Sequence, residues 1–135
     1  MDAIKVLLVV GVALGVTATA VYQGDTATVV PPPEAVAEQF ARLVAARRYD
    51  LALHHVDPAS GITLITVQLA GEALHDHAGG IDQVEGQSGS MHDGRASATA
   101  VLTTGRAGRI RYACRFVRRE GIWKIVDWEK IANDR

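Results

Sequence analysis

The last apolar segment of the chain carries one acid, Asp127, at a spacing that suits catalysis. Trp123, Ile125 and Asp127 alternate along a predicted strand, so their side chains are expected to share one face. If that face lines a cavity, burial raises the pKa of the Asp127 carboxyl and makes it a candidate general base. The alternative is an acid at the strand end, solvated or paired with an arginine, because acids are rarely buried without a partner.

Two histidines near the middle of the chain are candidate metal ligands. His75 and His77 flank Asp76 at the end of a predicted helix. Metal ligands must converge on one point, whereas helical residues two apart face different directions. The two rings converge only if the helix frays before Gly79. The alternative is a solvated helix end, where a protonated histidine suits the helix dipole. We expect no cofactor.

A third group of residues lies on a strand predicted over residues 109–119. A period of two puts Tyr112, Cys114 and Phe116 on a packed face, where Cys114 is expected to be an inert thiol. The opposite face carries what we call the arginine stripe: Arg111, Arg115 and Arg119. These side chains are candidate contacts for acidic partners or anionic lipid headgroups, the alternative being an ordinary solvated surface.

Composition argues against several classes of protein. The chain has 135 residues, with 14 Lys and Arg against 15 Asp and Glu, and this balance disfavours a general nucleic-acid binder. The single cysteine rules out an internal disulfide and a zinc site built on several cysteines. Motifs for phosphate-binding loops, serine hydrolases and zinc proteases do not occur in the sequence.

The chain opens with an uncharged and mostly apolar run over residues 6–22. About 20 apolar residues in a helix cross a bilayer, so residues 1–22 are predicted to be a transmembrane anchor that lies in the membrane through residues 3–22. The alternative is a secretory signal cut after Ala20. Either way, the rest of the chain is expected to be exported.

Charge predicts the orientation of this anchor, since Lys5 precedes the run and no Lys or Arg follows it before Arg42. The positive side stays in the cytoplasm. We therefore expect a single-pass protein of the inner or cytoplasmic membrane, with its N-terminus inside and its domain in the periplasm or outside the cell. Small residues let a second membrane helix approach closely, and the candidates for that contact are Gly11, Gly15 and Ala18.

After a proline-rich linker over residues 23–33, the pattern predicts helices followed by strands. Helices are expected from residue 33 or 34, over residues 49–56, and over residues 60–78. The third is rich in β-branched residues, but an apolar stripe recurs there at helical spacing: Ile62, Ile65, Leu69 and Ala73. Four strands follow, over residues 81–91, 94–105, 109–119 and 122–128. The expected fold is α+β, with about three helices on a curved antiparallel sheet.

Short motifs in this region carry a family resemblance. They are Arg48-Tyr49-Asp50-Leu51-Ala52, Gly79-Gly80-Ile81, Gly94-Arg95-Ala96-Ser97-Ala98 and Gly121-Ile122-Trp123-Lys124-Ile125. Residues 34–129 resemble the nuclear-transport-factor-2-like, cystatin-like roll, and in particular its small bacterial envelope members of unassigned function. The resemblance implies a cone-shaped roll with an apolar pocket between helix and sheet, whose lining we expect to include Phe40, Trp123 and Ile125. Residues 130–135 are left as a C-terminal tail.

Three functions fit these observations. The preferred one is a non-catalytic, membrane-anchored accessory subunit that contacts other membrane protein subunits through its extracytoplasmic domain. A pocket that binds a small apolar ligand is the second. The third is an isomerase or hydratase that uses Asp127, because enzymes with this roll, such as ketosteroid isomerase, place an acid in the pocket. Since one fold hosts many activities, the resemblance does not choose among them.

Overall fold

The computed structural model describes residues 30–134, with side chains as far as Ile131. The predicted anchor, its small-residue contacts Gly11, Gly15 and Ala18, and the linker as far as residue 29 lie outside the described residues. Within residues 30–134, no helix is long and apolar enough to cross a bilayer.

Helices come first and an antiparallel sheet follows, as the sequence predicts. The helices are α1 Pro33–Ala45, α2 Tyr49–Ala52 and α3 Leu64–Ala78, with 3-10 turns at Leu53–His55 and Pro58–Ser60. The strands are β1 Ile81–His92, β2 Arg95–Thr104, β3 Arg109–Arg119 and β4 Ile122–Asp134. They pair in the order β1-β2-β3-β4. The α+β architecture is therefore confirmed. Strand β4 continues past residue 129, so residues 130–134 belong to the sheet and not to a tail.

Helix α1 supplies much of the core. Its first turn holds Pro33, whose missing N–H costs nothing there, and Glu34, whose charge suits the positive end of the helix. Its buried face, which includes Val36, Phe40 and Val44, packs on one side of the sheet. The largest fully buried side chains on the sheet are those of the central strands and β4: Leu102, Ile110, Phe116 and Ile125.

Helix α1 also covers the free edge of β1. The Gly86 N–H donates to Glu38 Oε1 at 3.0 Å, and Arg42 Nη2 donates to the Val84 carbonyl oxygen at 3.1 Å. Glu38 and Arg42 are themselves paired at 2.9 Å. A Cβ at position 86 would overlap the Glu34 carbonyl, so glycine is what allows this close approach. Two side chains thus satisfy backbone groups that an open edge would offer to another strand.

Helix α3 forms as predicted, but it turns a different face to the core. Its buried positions are Val67, Gly71, Leu74 and Ala78. Ile65 and Leu69, from the stripe that predicts the helix, are 66% and 69% exposed. The helix therefore has two apolar faces, and the domain covers only one of them.

Candidate functional site

The candidate general base lies outside the core, and a β-bulge is the reason. Phe116 pairs with Ile125, but Arg115 pairs with Asp127, so β4 holds one extra residue between these two pairs. The bulge shifts the alternation of side chains. Asp127 consequently lies beside Arg115, with Asp127 Oδ2 2.9 Å from Arg115 Nη2 and both side chains about half exposed. The expectation that Asp127 shares the inner face with Ile125 is wrong.

The arginine stripe lies on the outer face of β3, as predicted, but acids of the same chain engage two of its members. Arg115 Nη2 also lies 2.9 Å from Glu129 Oε1. Arg119 donates to Asp57 Oδ2 from Nε at 3.3 Å and from Nη2 at 3.0 Å. A docking role for acidic partners therefore has to compete with these internal pairs.

Asp57 is an acid that is not among the candidate site residues predicted from the sequence. Its side chain is 5% exposed in its pair with Arg119, and the hydrogen bonds from Arg119 hold the pKa of this carboxyl below its usual value. The Asp57 N–H donates to the Ile125 carbonyl oxygen at 2.8 Å, and its Oδ1 accepts from the Ala59 N–H at 3.4 Å. Asp57 thereby joins the second 3-10 turn to β3 and β4. The sequence gives no signal for this contact, because Asp57 stands out there only as the residue before Pro58.

The cavity between helices and sheet is narrow. Its volume is about 30 Å³, and it is lined by Phe40, Ala41, Val44, Val67, Ala70, Gly71, Leu74, Ala100, Leu102, Tyr112, Cys114 and Trp128. That is space for about one water, whereas ligand pockets commonly measure about 300 Å³ or more. Of the predicted pocket residues, Phe40 lines this cavity, while Trp123 and Ile125 lie in the packed core. The β4 bulge turns Trp128 towards this cavity, where the ring centroids of Trp128 and Phe40 lie 5.1 Å apart.

The polar groups in this cavity are neutral. Burial raises the pKa of the Cys114 thiol to about 12, with a further contribution from the charge of Asp127. Burial also raises the pKa of the Tyr112 hydroxyl. Because none of the described side chains that line the cavity is charged, these residues supply neither a thiolate nucleophile nor a general base there.

The two candidate metal ligands do not converge. Helix α3 is regular as far as Ala78, so the fraying that the metal hypothesis requires does not occur. His75 Nε2 lies 3.1 Å from the Val44 carbonyl oxygen, and His77 is exposed. Among residues 30–134, no group of three or more His, Cys, Asp and Glu side chains is placed to hold a metal ion. The positive charge at the C-terminal end of α3 is supplied by Arg106, whose Nη1 donates to the Asp76 carbonyl oxygen at 2.7 Å.

A hydrogen-bond cluster of buried Tyr49 with the half-exposed Glu72 and Arg47 joins α2 to α3. The Tyr49 hydroxyl donates to Glu72 Oε2, and Arg47 Nε donates to the same oxygen at 3.0 Å. Burial and the bond to Glu72 raise the pKa of Tyr49 to about 12. A Cβ at Gly71 would overlap the Tyr49 ring, so the helix approaches this ring through a glycine. The cluster fixes the position of α3.

A second, open cleft lies between the 3-10 turns and the start of β4. Its volume is about 670 Å³, and it is lined by Leu53, His54, Val56, Pro58, Ile62 and Lys124. Lys124 Nζ donates to the His54 carbonyl oxygen at 2.7 Å. Burial, with a smaller effect of the Lys124 charge, lowers the pKa of the neighbouring His55 to about 4. The cleft is mostly apolar and has one cation at its rim.

Comparison with solved structures agrees with this architecture: the chain has an NTF2-like fold. A protein from Campylobacter jejuni described as an NTF2-like transpeptidase matches with a TM-score of 0.59 at 10% identity, over 70% of this chain and 97% of that one. A SEC-C motif containing protein from Rhodopseudomonas palustris matches with a TM-score of 0.52 at 17% identity, over 74% of this chain and 79% of that one. No protein-family model and no curated protein matches the sequence.

Proposed function

We propose that this chain is a non-catalytic, membrane-anchored accessory subunit whose NTF2-like domain contacts other subunits of a membrane assembly, on the outer side of the inner or cytoplasmic membrane. The observation that carries the proposal is the exposed apolar face of α3. Ile65 and Leu69, one helical turn apart on this face, are 66% and 69% exposed. Adjacent apolar side chains that a domain leaves in water mark a site of contact with another molecule.

The chemistry of the domain supports a binding role over a catalytic one. Asp127 lies outside the cavity, paired with Arg115, and the cavity has no charged lining. The Campylobacter jejuni protein is described as a transpeptidase, but at 10% identity its similarity to this chain concerns the fold alone. A cysteine nucleophile would have to be Cys114, which is 1% exposed and has a pKa of about 12. We therefore do not carry the transpeptidase reaction over to this chain.

The contact surface can be tested with charged substitutions on the full chain. When membranes of the native host are solubilised in mild detergent, the protein should be extracted in a complex that is larger than a monomer in a detergent micelle. Leu69→Asp should dissociate that complex, since a carboxylate in an apolar interface is costly. Met91→Asp is the matched control, because Met91 is also apolar and 61% exposed but lies at the end of β1. Extraction as a free monomer, or equal loss in both variants, would contradict the proposal.

The membrane anchor requires its own test. If residues 1–22 remain attached, the protein stays in the membrane fraction after an alkaline wash, and its N-terminal sequence begins at or near Met1. A mature N-terminus at Val21 would instead show that the segment is a signal cleaved after Ala20. In that case the accessory role would belong to a secreted protein.

A binding module for a small apolar ligand is the second candidate, and the cleft lined by Ile62 and Lys124 favours it. Its volume lies in the range of ligand sites, and its walls are mostly apolar. An apolar anionic dye such as anilinonaphthalene sulfonate matches this surface, and Ile62→Asp should abolish its binding. Ile122→Asp, at an apolar residue that is 48% exposed outside the cleft lining, is the control. Unchanged dye binding in Ile62→Asp would remove this candidate.

A further inference from the structure

We infer that the exposed face of α3 is a self-association surface that packs against α3 of a second copy of this chain, in antiparallel orientation about a twofold axis near Leu69. This inference rests on the proposed contact role of α3 and names the partner. The surface consists of side chains at helical spacing on the outer side of the helix: Ile65, Leu69 and Ala73. It lies opposite the buried positions Val67, Gly71 and Leu74.

The shape of the surface suits a helix. Ile65 and Leu69 project from the outer face, while Ala73, which is also exposed, is small. Large and small side chains in adjacent rows form the ridges and grooves through which two helices pack about 8–10 Å apart. In an antiparallel pair centred on Leu69, Ile65 of each copy meets Ala73 of the other, so a large side chain faces a small one. The surface is therefore complementary to itself, as a twofold contact requires.

The charges on α3 select the antiparallel orientation. The helix has no Lys or Arg, and its acids, Glu72 and Asp76, lie in its C-terminal half. An antiparallel pair centred on Leu69 brings Asp76 of one copy to the N-terminal end of the other helix, near Thr63. A negative charge there is stabilised by the helix dipole. A parallel pair would place the two Asp76 carboxylates side by side, where they repel each other.

The same charges disfavour an anionic lipid surface as the occupant. Interfacial helices that bind such surfaces carry Lys or Arg on their polar faces. The outer face of α3 carries the acid Asp76 at one end and uncharged threonines, Thr63 and Thr66, at the other. A membrane with negative headgroups would repel it.

The area of the surface sets the strength of the contact. From their exposed fractions of 66% and 69%, Ile65 and Leu69 together offer on the order of 250 Å² of apolar surface. A standard specific interface takes about 800 Å² from each partner. The dimer is therefore weak in solution. A membrane tether raises the effective concentration of the second copy, which favours pairing without any added contact.

Disulfide cross-linking of the purified full chain in detergent or vesicles tests this geometry, because there the only available partner is a second copy. The native Cys114 is 1% exposed and does not react, so single new cysteines can be compared directly. Leu69→Cys lies near the twofold axis and should cross-link to itself, with roughly tenfold more dimer than Met91→Cys at comparable exposure. Ile65→Cys should cross-link poorly to itself but efficiently when mixed with Ala73→Cys.

Four results would overturn the inference. The first is equal cross-linking of Leu69→Cys and Met91→Cys in folded protein. The second is protection of Leu69→Cys from a soluble thiol reagent only when anionic vesicles are added, which would show a lipid contact. The third is cross-linking of Leu69→Cys in native membranes to a protein of another mass, with none to itself, which would leave the proposed accessory function standing. If Leu69→Cys finds no partner in either preparation, the inference and the proposed function both fail.

Discussion

The pair formed by Asp57 and Arg119 should contribute more to stability than any exposed ion pair on the sheet. Arg119 is 56% exposed, whereas the Asp57 side chain is 5% exposed. The substitution Arg119→Met keeps most of the length of the side chain and removes the two hydrogen bonds that Arg119 donates to Asp57 Oδ2. It thereby leaves a nearly buried carboxylate without its cation.

The size of the effect follows from the exposure of the two groups. Removing one partner of a fully buried pair costs about 3–5 kcal/mol, and removing one partner of a surface pair costs about 0–1 kcal/mol. This pair has one buried and one half-exposed member, and Asp57 keeps its bond from the Ala59 N–H. We therefore expect a loss of about 2 kcal/mol in the free energy of unfolding. In a domain of about 100 residues, this lowers Tm by roughly 10 °C.

Arg115→Met is a matched control. Arg115 lies four residues before Arg119 on the same face of β3 and is 53% exposed, but its acids, Asp127 and Glu129, are themselves about half exposed. Its loss should cost at most about 1 kcal/mol. The comparison therefore isolates the burial of the acid. Thermal unfolding of the full chain in detergent, followed by circular dichroism, measures both variants.

The pH dependence of the free energy of unfolding tests the same prediction in a second way. The folded-state pKa of Asp57 is lowered, so the pair contributes its stability above the unfolded-state pKa of about 4 and loses it as the pH falls through the folded-state value. The difference between wild type and Arg119→Met should therefore be full at pH 7 and shrink in strong acid. Equal losses for Arg119→Met and Arg115→Met, or a zero coupling energy between Arg119→Met and Asp57→Asn, would refute the reasoning.

Three further perturbations test other parts of the structure. Burial lowers the pKa of His55 from 6.5 to about 4, so between these two values the unfolded chain binds more protons than the folded one. The free energy of unfolding should therefore fall by about 3 kcal/mol as the pH drops from 6.5 to 4. His55→Gln should flatten this part of the profile, and an unchanged profile would assign the effect to another group. Gly71→Ala should destabilise the domain by about 1–3 kcal/mol in thermal unfolding, because the new Cβ overlaps the Tyr49 ring, even though alanine favours a helix. Gly86→Ala should separate α1 from β1 by forcing the Glu34 carbonyl away, which faster amide exchange in α1 would report; unchanged exchange would contradict this packing.

The order of helices and strands could be predicted from the sequence because period and turn residues are local signals. Most element bounds fall within a few residues of the prediction. The main exceptions are α3, which begins at Leu64, and β4, which runs to Asp134. Strands are recognised from alternation, and alternation continues to hold on each side of a bulge. What the local pattern cannot give is the pairing with the neighbouring strand, and that pairing decides which face each side chain takes.

The error at Asp127 has this physical origin. With uninterrupted alternation, Trp123, Ile125 and Asp127 lie on one face, and an acid enters the core. The bulge between the pairs of Arg115 and Phe116 instead places Asp127 on the outside, where Arg115 neutralises it, and turns Trp128 inward. This result is favourable, because burying the indole is cheaper than burying an unpaired carboxylate. The alternative prediction, an acid paired with an arginine, is correct in the pairing, but Asp127 lies within β4 and not at its end.

Helix α3 shows a different limit of periodicity. The stripe that includes Ile65, Leu69 and Ala73 has the spacing of a core-facing helix, yet the domain buries the opposite face through Val67 and Leu74. Helical period reports only that an apolar face exists, and it does not say which molecule covers it. In a helix with one apolar face, that face must pack on its own domain. Helix α3 has two such faces, and the described residues cover only the inner one, which is why the proposed contact is placed on the outer stripe.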